Sequence, residues 1–240
     1  MYMPSLLTKT QTRGSLRSEQ RNRMSIFALA LVSSLWVIGS KIGLLNKASL
    51  HAASTLWGGI NVDSSLIDPQ PKSHNKILFI GKDFKRKGGY ITYEAFKLLR
   101  EQGEKVELYV IGPKQDPIDN PVDGYHFVGQ IPFNEEAKYY NICDVFCMPS
   151  YFEAYGLVFI EALTFGLPCI GRNCYEMPYF IQDGETGLLL KHDDPHELAS
   201  LMLQVLRDDK YAKNVAAHHD QYLRNYSWDT VAERMAKIIG

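Results

Sequence analysis

Two carboxylates eight residues apart, Glu153 and Glu161, bracket Gly156 where an apolar run gives way to a helical one. Asp144-Val-Phe-Cys-Met148 reads as a buried strand, and the stretch from Gly156 to Phe165 holds no proline until Gly166 and Pro168 stop it. A helix opening after a polar loop presents unpaired N–H groups and the positive end of its dipole, which suits phosphate. One carboxylate falls before that terminus and the other in its second turn. A solvated loop and an ordinary helix surface would carry the same two residues, so the rest of the chain must decide.

A second group is the run Gly81-Lys-Asp-Phe-Lys-Arg-Lys-Gly-Gly89, where Lys82, Lys85, Arg86 and Lys87 lie among glycines. Alone this is a solvated turn. Set beside the Glu153 loop it becomes a place where basic side chains and backbone amides gather around a polyphosphate while carboxylates take hydroxyls. Other phosphate motifs are absent: there is no G-x-x-x-x-G-K-[ST] loop, no G-x-G-x-x-G after the first strand and no Asp-x-Asp triplet. Asp193-Asp194 and Asp208-Asp209 read as helix caps. Cys143, Cys147, Cys169 and Cys174 are separated by three and by four residues within each pair, not by the two typical of zinc or redox sites, and read as small buried thiols in a reducing compartment. The seven histidines lack ligand spacing, with His218-His219 expected on a helix surface, so no metal site is expected.

The elements that must position these groups are periodic from Lys76 onward. Strands are expected at Lys76–Ile80, Glu107–Ile111, His126–Val128, Val145–Met148, Cys169–Ile170 and Gly187–Leu190. Helices are expected over Tyr90–Gln102, from a cap at Asn134 to Tyr140, from Gly156, from a cap at Asp194 to Leu206, and over Lys210–Arg224 and Trp228–Ile239. This alternation predicts an α/β doubly wound parallel sheet. With strand order 3-2-1-4-5-6, the first and fourth strands are neighbours and their following loops open on one crevice at the topological switch point. Those two loops are Gly81–Gly89 and Pro149–Gly156.

Taken in order, Gly81-Lys82, Lys87-Gly88, Pro149-Ser150, Glu153 to Glu161, Gly166-Leu-Pro168 and Asp183-Gly-Glu-Thr-Gly187 resemble the donor-binding half of a family-four retaining glycosyltransferase of the GT-B fold. The resemblance runs from about Asn61 to the end. It implies a Rossmann-like domain that binds a nucleoside diphosphate sugar as donor substrate and needs no cofactor or metal. Lys82 and Lys87 would neutralise the diphosphate, although the family usually has arginine where Lys82 stands, a change that keeps charge but loses the bidentate fork. Glu153 would lie near the transferred sugar, Glu161 would accept from the ribose, and the amides around Gly156, Leu157 and Val158 would meet phosphate. Gly81 would let the backbone approach the donor.

The 240 residues are 45% hydrophobic with a net charge of −1, so no global field argues for nucleic acid. Residues 63–240 are expected to form the donor-binding domain, and 1–62 a remnant of an acceptor-side domain and linker, with Trp57-Gly-Gly-Ile-Asn61 in the linker. That portion is too short for a second domain of ~100–150 residues, so the expectation is either a fragment or short gene product, or a separate subunit that supplies the acceptor side. The end is locally basic, with Lys9, Arg13, Arg17, Arg21, Arg23, Lys41 and Lys47 against Glu19 alone. The uncharged stretch from Met24 to Ser40 is shorter than the ~20 apolar residues of a membrane span and reads as a buried segment or an interfacial anchor. The chain is therefore expected to be cytoplasmic, with a membrane surface as a place of contact and a lipid or glycan as acceptor. Two rivals remain: a non-catalytic nucleotide-sugar-binding module derived from such an enzyme, and a dinucleotide-dependent oxidoreductase, which lacks its glycine fingerprint.

Overall fold

The computed structural model describes residues 59–68, 75–153 and 155–239, with side chains as far as Arg234. The basic leader, the stretch 24–40 and most of the expected 1–62 remnant lie outside the described residues. Six strands, β1 (Lys76–Ile80), β2 (Glu107–Ile111), β3 (Tyr125–Gly129), β4 (Val145–Cys147), β5 (Cys169–Arg172) and β6 (Gly187–Leu190), form one sheet in the order β3-β2-β1-β4-β5-β6. Every pairing is parallel. The sequence shows why. Lys76-Ile-Leu-Phe-Ile80 and Val145-Phe-Cys147 are continuous apolar runs without alternation, as strands covered on both faces require.

The helices are α1 (Gly89–Glu101), α2 (Phe133–Ile142), α3 (Leu157–Thr164), α4 (Met177–Phe180), α5 (Pro195–Arg207), α6 (Lys210–Ala217), α7 (His219–Tyr226) and α8 (Trp228–Ile239). Helix α1 packs against α5, α2 lies over β1, and α3 packs against α4 and α7. Asp144, at the head of β4, accepts from the Asn75 and Lys76 amides at 2.9 and 2.8 Å, which ties the starts of β1 and β4 together. The pairing Ile77 with Val145 and Leu78 with Phe146 then delivers both strand ends to the same crevice.

Four local expectations are corrected. Helix α2 begins at Phe133 with Pro132 at its cap, because Pro132 is already extended (φ −63°, ψ 148°), so Asn134 is inside the helix and caps nothing. The expected Lys210–Arg224 helix is two helices broken at His218. His219 is half-buried rather than fully on the helix surface: its ring N–H donates to the Thr164 carbonyl at 2.9 Å, pinning α7 to α3. Asp194 does cap α5 by accepting from the His196 amide at 2.9 Å, but Asp193 takes the Arg172 guanidinium and the Tyr151 hydroxyl instead. Short helix α4, opened by Pro178 one residue inside, was not expected. Cys143, Cys147 and Cys169 are buried free thiols and Cys174 is half-buried.

Candidate functional site

The loops after β1 and β4 are pressed into one body. Gly88 is left-handed (φ 77°), and a Cβ there would lie 2.4 Å from the Pro149 carbonyl oxygen, so glycine is what allows the two backbones to touch. Arg86 clasps them. Its guanidinium donates to the Phe152 carbonyl at 2.7 Å, and its own carbonyl accepts from the Tyr151 amide at 2.9 Å. Ser150, fully buried, donates its hydroxyl to the Phe152 carbonyl at 2.8 Å. Behind them Arg172, at the end of β5, donates to the Pro149 carbonyl at 3.3 Å and to Asp193 at 2.8 Å, and stacks 4.2 Å from the centre of the Tyr151 ring.

On this rigid seam Lys87 and Glu153 form an ion pair, their side chains 15% and 10% exposed. The stem of Lys87 lies against Gly81, whose amide extends the sheet by donating to the Ile111 carbonyl at 2.8 Å. Lys82 and Lys85 are exposed on the same loop. Gly156 then turns the chain into α3 through a left-handed conformation (φ 86°), where a Cβ would come within 3.0 Å of Phe159 and 3.3 Å of Glu153. Leu157 and Val158 occupy the first turn, half-buried, and their amides precede the helix's own hydrogen-bond ladder.

Glu161 sits one turn deeper and is 2% exposed. Its oxygens accept from the Asn61 amide at 2.9 Å and the Tyr140 hydroxyl at 3.4 Å. Burial pushes its carboxyl up to about 7, against the opposing pull of those donors and the Val62 amide. Glu136, which the sequence did not single out, is also buried. Burial first and the nearby Glu161 second push it up to about 7, while Lys82 pulls the other way. A signal was available: Glu136, Ala137 and Tyr140 share one face of α2, and all three are buried.

The structure thus brings Gly81, Lys87, Glu153, Gly156, Leu157 and Val158 together, with Lys82 at the rim and Glu161 beneath the segment at Asn61. Arg86, grouped by sequence with the phosphate-facing cations, serves the loop–loop clasp. Among the described residues no three His, Cys, Asp or Glu side chains are grouped to hold a metal ion. Two cavities lie elsewhere: one of about 190 Å³ at the opposite end of the sheet, by Asn75 and Val106, and one of about 110 Å³ between α3, α4 and α7, by Tyr179 and Tyr222.

A parallel sheet whose order reverses between β1 and β4, with Lys82, Lys85 and Lys87 and the start of α3 at that point, defines a doubly wound α/β domain. The chain belongs to the glycosyl transferases group 1 family, whose model matches residues 67–221. It is 28% identical over 191 residues to a phosphatidyl-myo-inositol mannosyltransferase of Mycobacterium leprae, covering 75% of this chain and 51% of that protein. It is 26% identical over 183 residues to a D-inositol 3-phosphate glycosyltransferase of Corynebacterium urealyticum, covering 70% and 43%. The chain spans about half the length of the curated relatives it matches. Among solved structures, sucrose-phosphate synthase of Thermosynechococcus elongatus shares the fold at a TM-score of 0.63 and 24% identity, covering 77% of this chain and 51% of that one. The pneumococcal O-GlcNAc transferase GtfA, solved with UDP and GlcNAc, does so at 0.62 and 21%, covering 76% and 38%. Among the described residues no helix is long and apolar enough to cross a membrane.

Proposed function

We propose that this chain is the donor-binding part of a retaining, metal-independent glycosyltransferase that moves a hexose-like unit from a nucleoside diphosphate sugar to an acceptor hydroxyl. The observation that carries the reading is the Lys87–Glu153 pair, held on two mutually locked loops beside the start of α3. An ion pair at that place stores a cation for the donor diphosphate and a carboxylate for the sugar, and arrival of the phosphate lets Lys87 turn from one anion to the other.

In this reading the bond from the sugar's anomeric carbon to the diphosphate oxygen breaks with its electron pair going to the diphosphate. Lys87, Lys82 and the Leu157 and Val158 amides stabilise that growing charge electrostatically. Glu153 lies by the oxocarbenium-like sugar. The acceptor hydroxyl attacks the same face, and its proton passes to the departing diphosphate oxygen, the nearest base on that face. Glu161 accepts from the ribose hydroxyls, which replace the Asn61 amide as its donors. Relatives named for transfer to phosphatidyl-inositol or inositol phosphate support a lipid or polar polyol as acceptor, with contact at a membrane surface and a separate acceptor-side wall.

Calorimetric titration of the full chain with UDP, GDP and ADP in the presence of a chelator tests the reading. Saturable binding of one nucleotide is expected; heat from none of the three would remove the donor site.

A further inference from the structure

At the outer edge of the Glu153 loop stands an aromatic corner. Tyr175 sits in the tight turn between β5 and α4 with φ 53°, one of two non-glycine residues of positive φ among the described residues. Left-handed backbone is unfavourable for a residue with a Cβ, and it persists where surrounding bonds hold it. Here the Cys174 amide donates to the Arg172 carbonyl at 2.7 Å and the Asn173 amide to the Leu190 carbonyl at 2.9 Å, so the turn is fixed from β5 and β6. The result is a ring left 53% exposed. It meets Phe152 at a centroid distance of 5.1 Å with the ring planes 76° apart. Phe152 precedes Glu153 directly, and its carbonyl is the acceptor of both Arg86 and Ser150, so its position is set by the loop clasp.

We infer that Phe152 and Tyr175 form a stacking corner for a six-membered polyhydroxylated ring held beside Glu153. A pyranose or cyclitol has an apolar face of C–H bonds and a rim of hydroxyls. A near-perpendicular pair of aromatic rings accepts the first, and Glu153, the next residue after Phe152 in the chain, is the carboxylate proposed to accept hydrogen bonds from the second. A strained turn that presents a tyrosine to solvent contributes nothing to the core, so its cost is explained by what the ring receives. The ring is either the sugar of the donor or the ring of the acceptor. The inference rests on the donor-site reading for its place but not for its test.

Tyr175→Gly removes the ring and relaxes the backbone, so its unfolding midpoint is expected to hold or rise; Tyr175→Phe keeps the ring. Calorimetry of the full chain compares UDP with UDP-glucose and GDP with GDP-mannose. If the corner takes the donor sugar, Tyr175→Gly weakens the sugar conjugate about five- to tenfold and leaves the bare nucleotide within about twofold, while Tyr175→Phe behaves as the parent. Saturation-transfer NMR with methyl α-mannoside, methyl α-glucoside and myo-inositol, without nucleotide, covers the acceptor source, with signal in the parent and Tyr175→Phe and none in Tyr175→Gly. Either pattern supports the corner. Loss of neither conjugate affinity nor free-ring saturation in Tyr175→Gly overturns it. Intact nucleotide binding together with conjugate affinity and free-ring saturation that do not depend on Tyr175 would sink this inference alone; ring binding without any nucleotide binding would sink the donor-site reading alone.

Discussion

Glu161 shows how burial alters a carboxylate that sequence alone would leave ordinary. An ordinary glutamate titrates near 4.5, whereas Glu161 and Glu136 are pushed up to about 7, chiefly by burial. The folded chain therefore keeps protons between about 4.5 and about 7 that the unfolded chain releases. Stability falls as pH rises through that window and levels off above it, the reverse of a carboxylate stabilised by an ion pair. Glu161 alone accounts for on the order of 3 kcal/mol, an upper figure because the two carboxyls interact. Glu161→Gln is neutral at every pH and keeps an acceptor for the Asn61 amide. Urea unfolding at both ends of the window should show its free chain more stable than the parent at the alkaline end, with a shallower pH slope. An unchanged slope would mean that water reaches the carboxyl. The spacing of Glu153 and Glu161 was legible because a glycine and a helix stop frame it; Glu136 was not, because its burial depends on what packs over α2.

The two loops act as one element, and Gly88 is the point of contact. Gly88→Ala combines an unfavourable φ of 77° with a Cβ 2.4 Å from the Pro149 oxygen, and is expected to destabilise by about 2–4 kcal/mol and to lower nucleotide affinity. Gly103→Ala is the control: φ is 86° but nothing lies within 4 Å, so about 1 kcal/mol of backbone cost is expected, with no effect on the crescent of loops. Equal losses in denaturant unfolding would show that backbone conformation, and not the approach of the loops, sets the need for glycine. Strands β1, β2 and β6 were expected at the bounds observed, since each carries an apolar run, opened by Lys76 in β1 and by Glu107 in β2. The break at His218 was not, for no glycine or proline marks it; the His218 ring bonds back to the Asn214 carbonyl at 2.8 Å while His219 is drawn to α3.

Across the whole molecule, the described segment before the sheet is tied to the last two helices. The Ile60 amide donates to the Tyr226 carbonyl at 3.0 Å, and Gly59 lies so close to the Trp228 ring that a Cβ would come within 2.7 Å. The next residue, Asn61, caps Glu161. Trp228 is half-buried, so Trp228→Ala is expected to cost about 2 kcal/mol. In hydrogen exchange the Ile60 and Asn61 amides should then open faster, while those of β1 slow or hasten only with global stability. Protection of Ile60 and Asn61 equal to the parent's would show that another contact holds the strap.

The sequence by itself determined the strand–helix alternation of a parallel sheet and, with the common strand order assumed, the meeting of two loops at the switch point; the order itself came from the structure. Apolar runs without alternation must be covered on both faces, and chain order then leaves few ways to wind them. It also determined which cations and carboxylates stand on those loops. Only the tertiary structure decided their partners: Lys87 with Glu153, Arg86 with Phe152, Glu161 with Asn61, and Arg172 with Asp193. These contacts join residues 21 to 100 positions apart, where the distance between side chains is set by packing rather than by local periodicity.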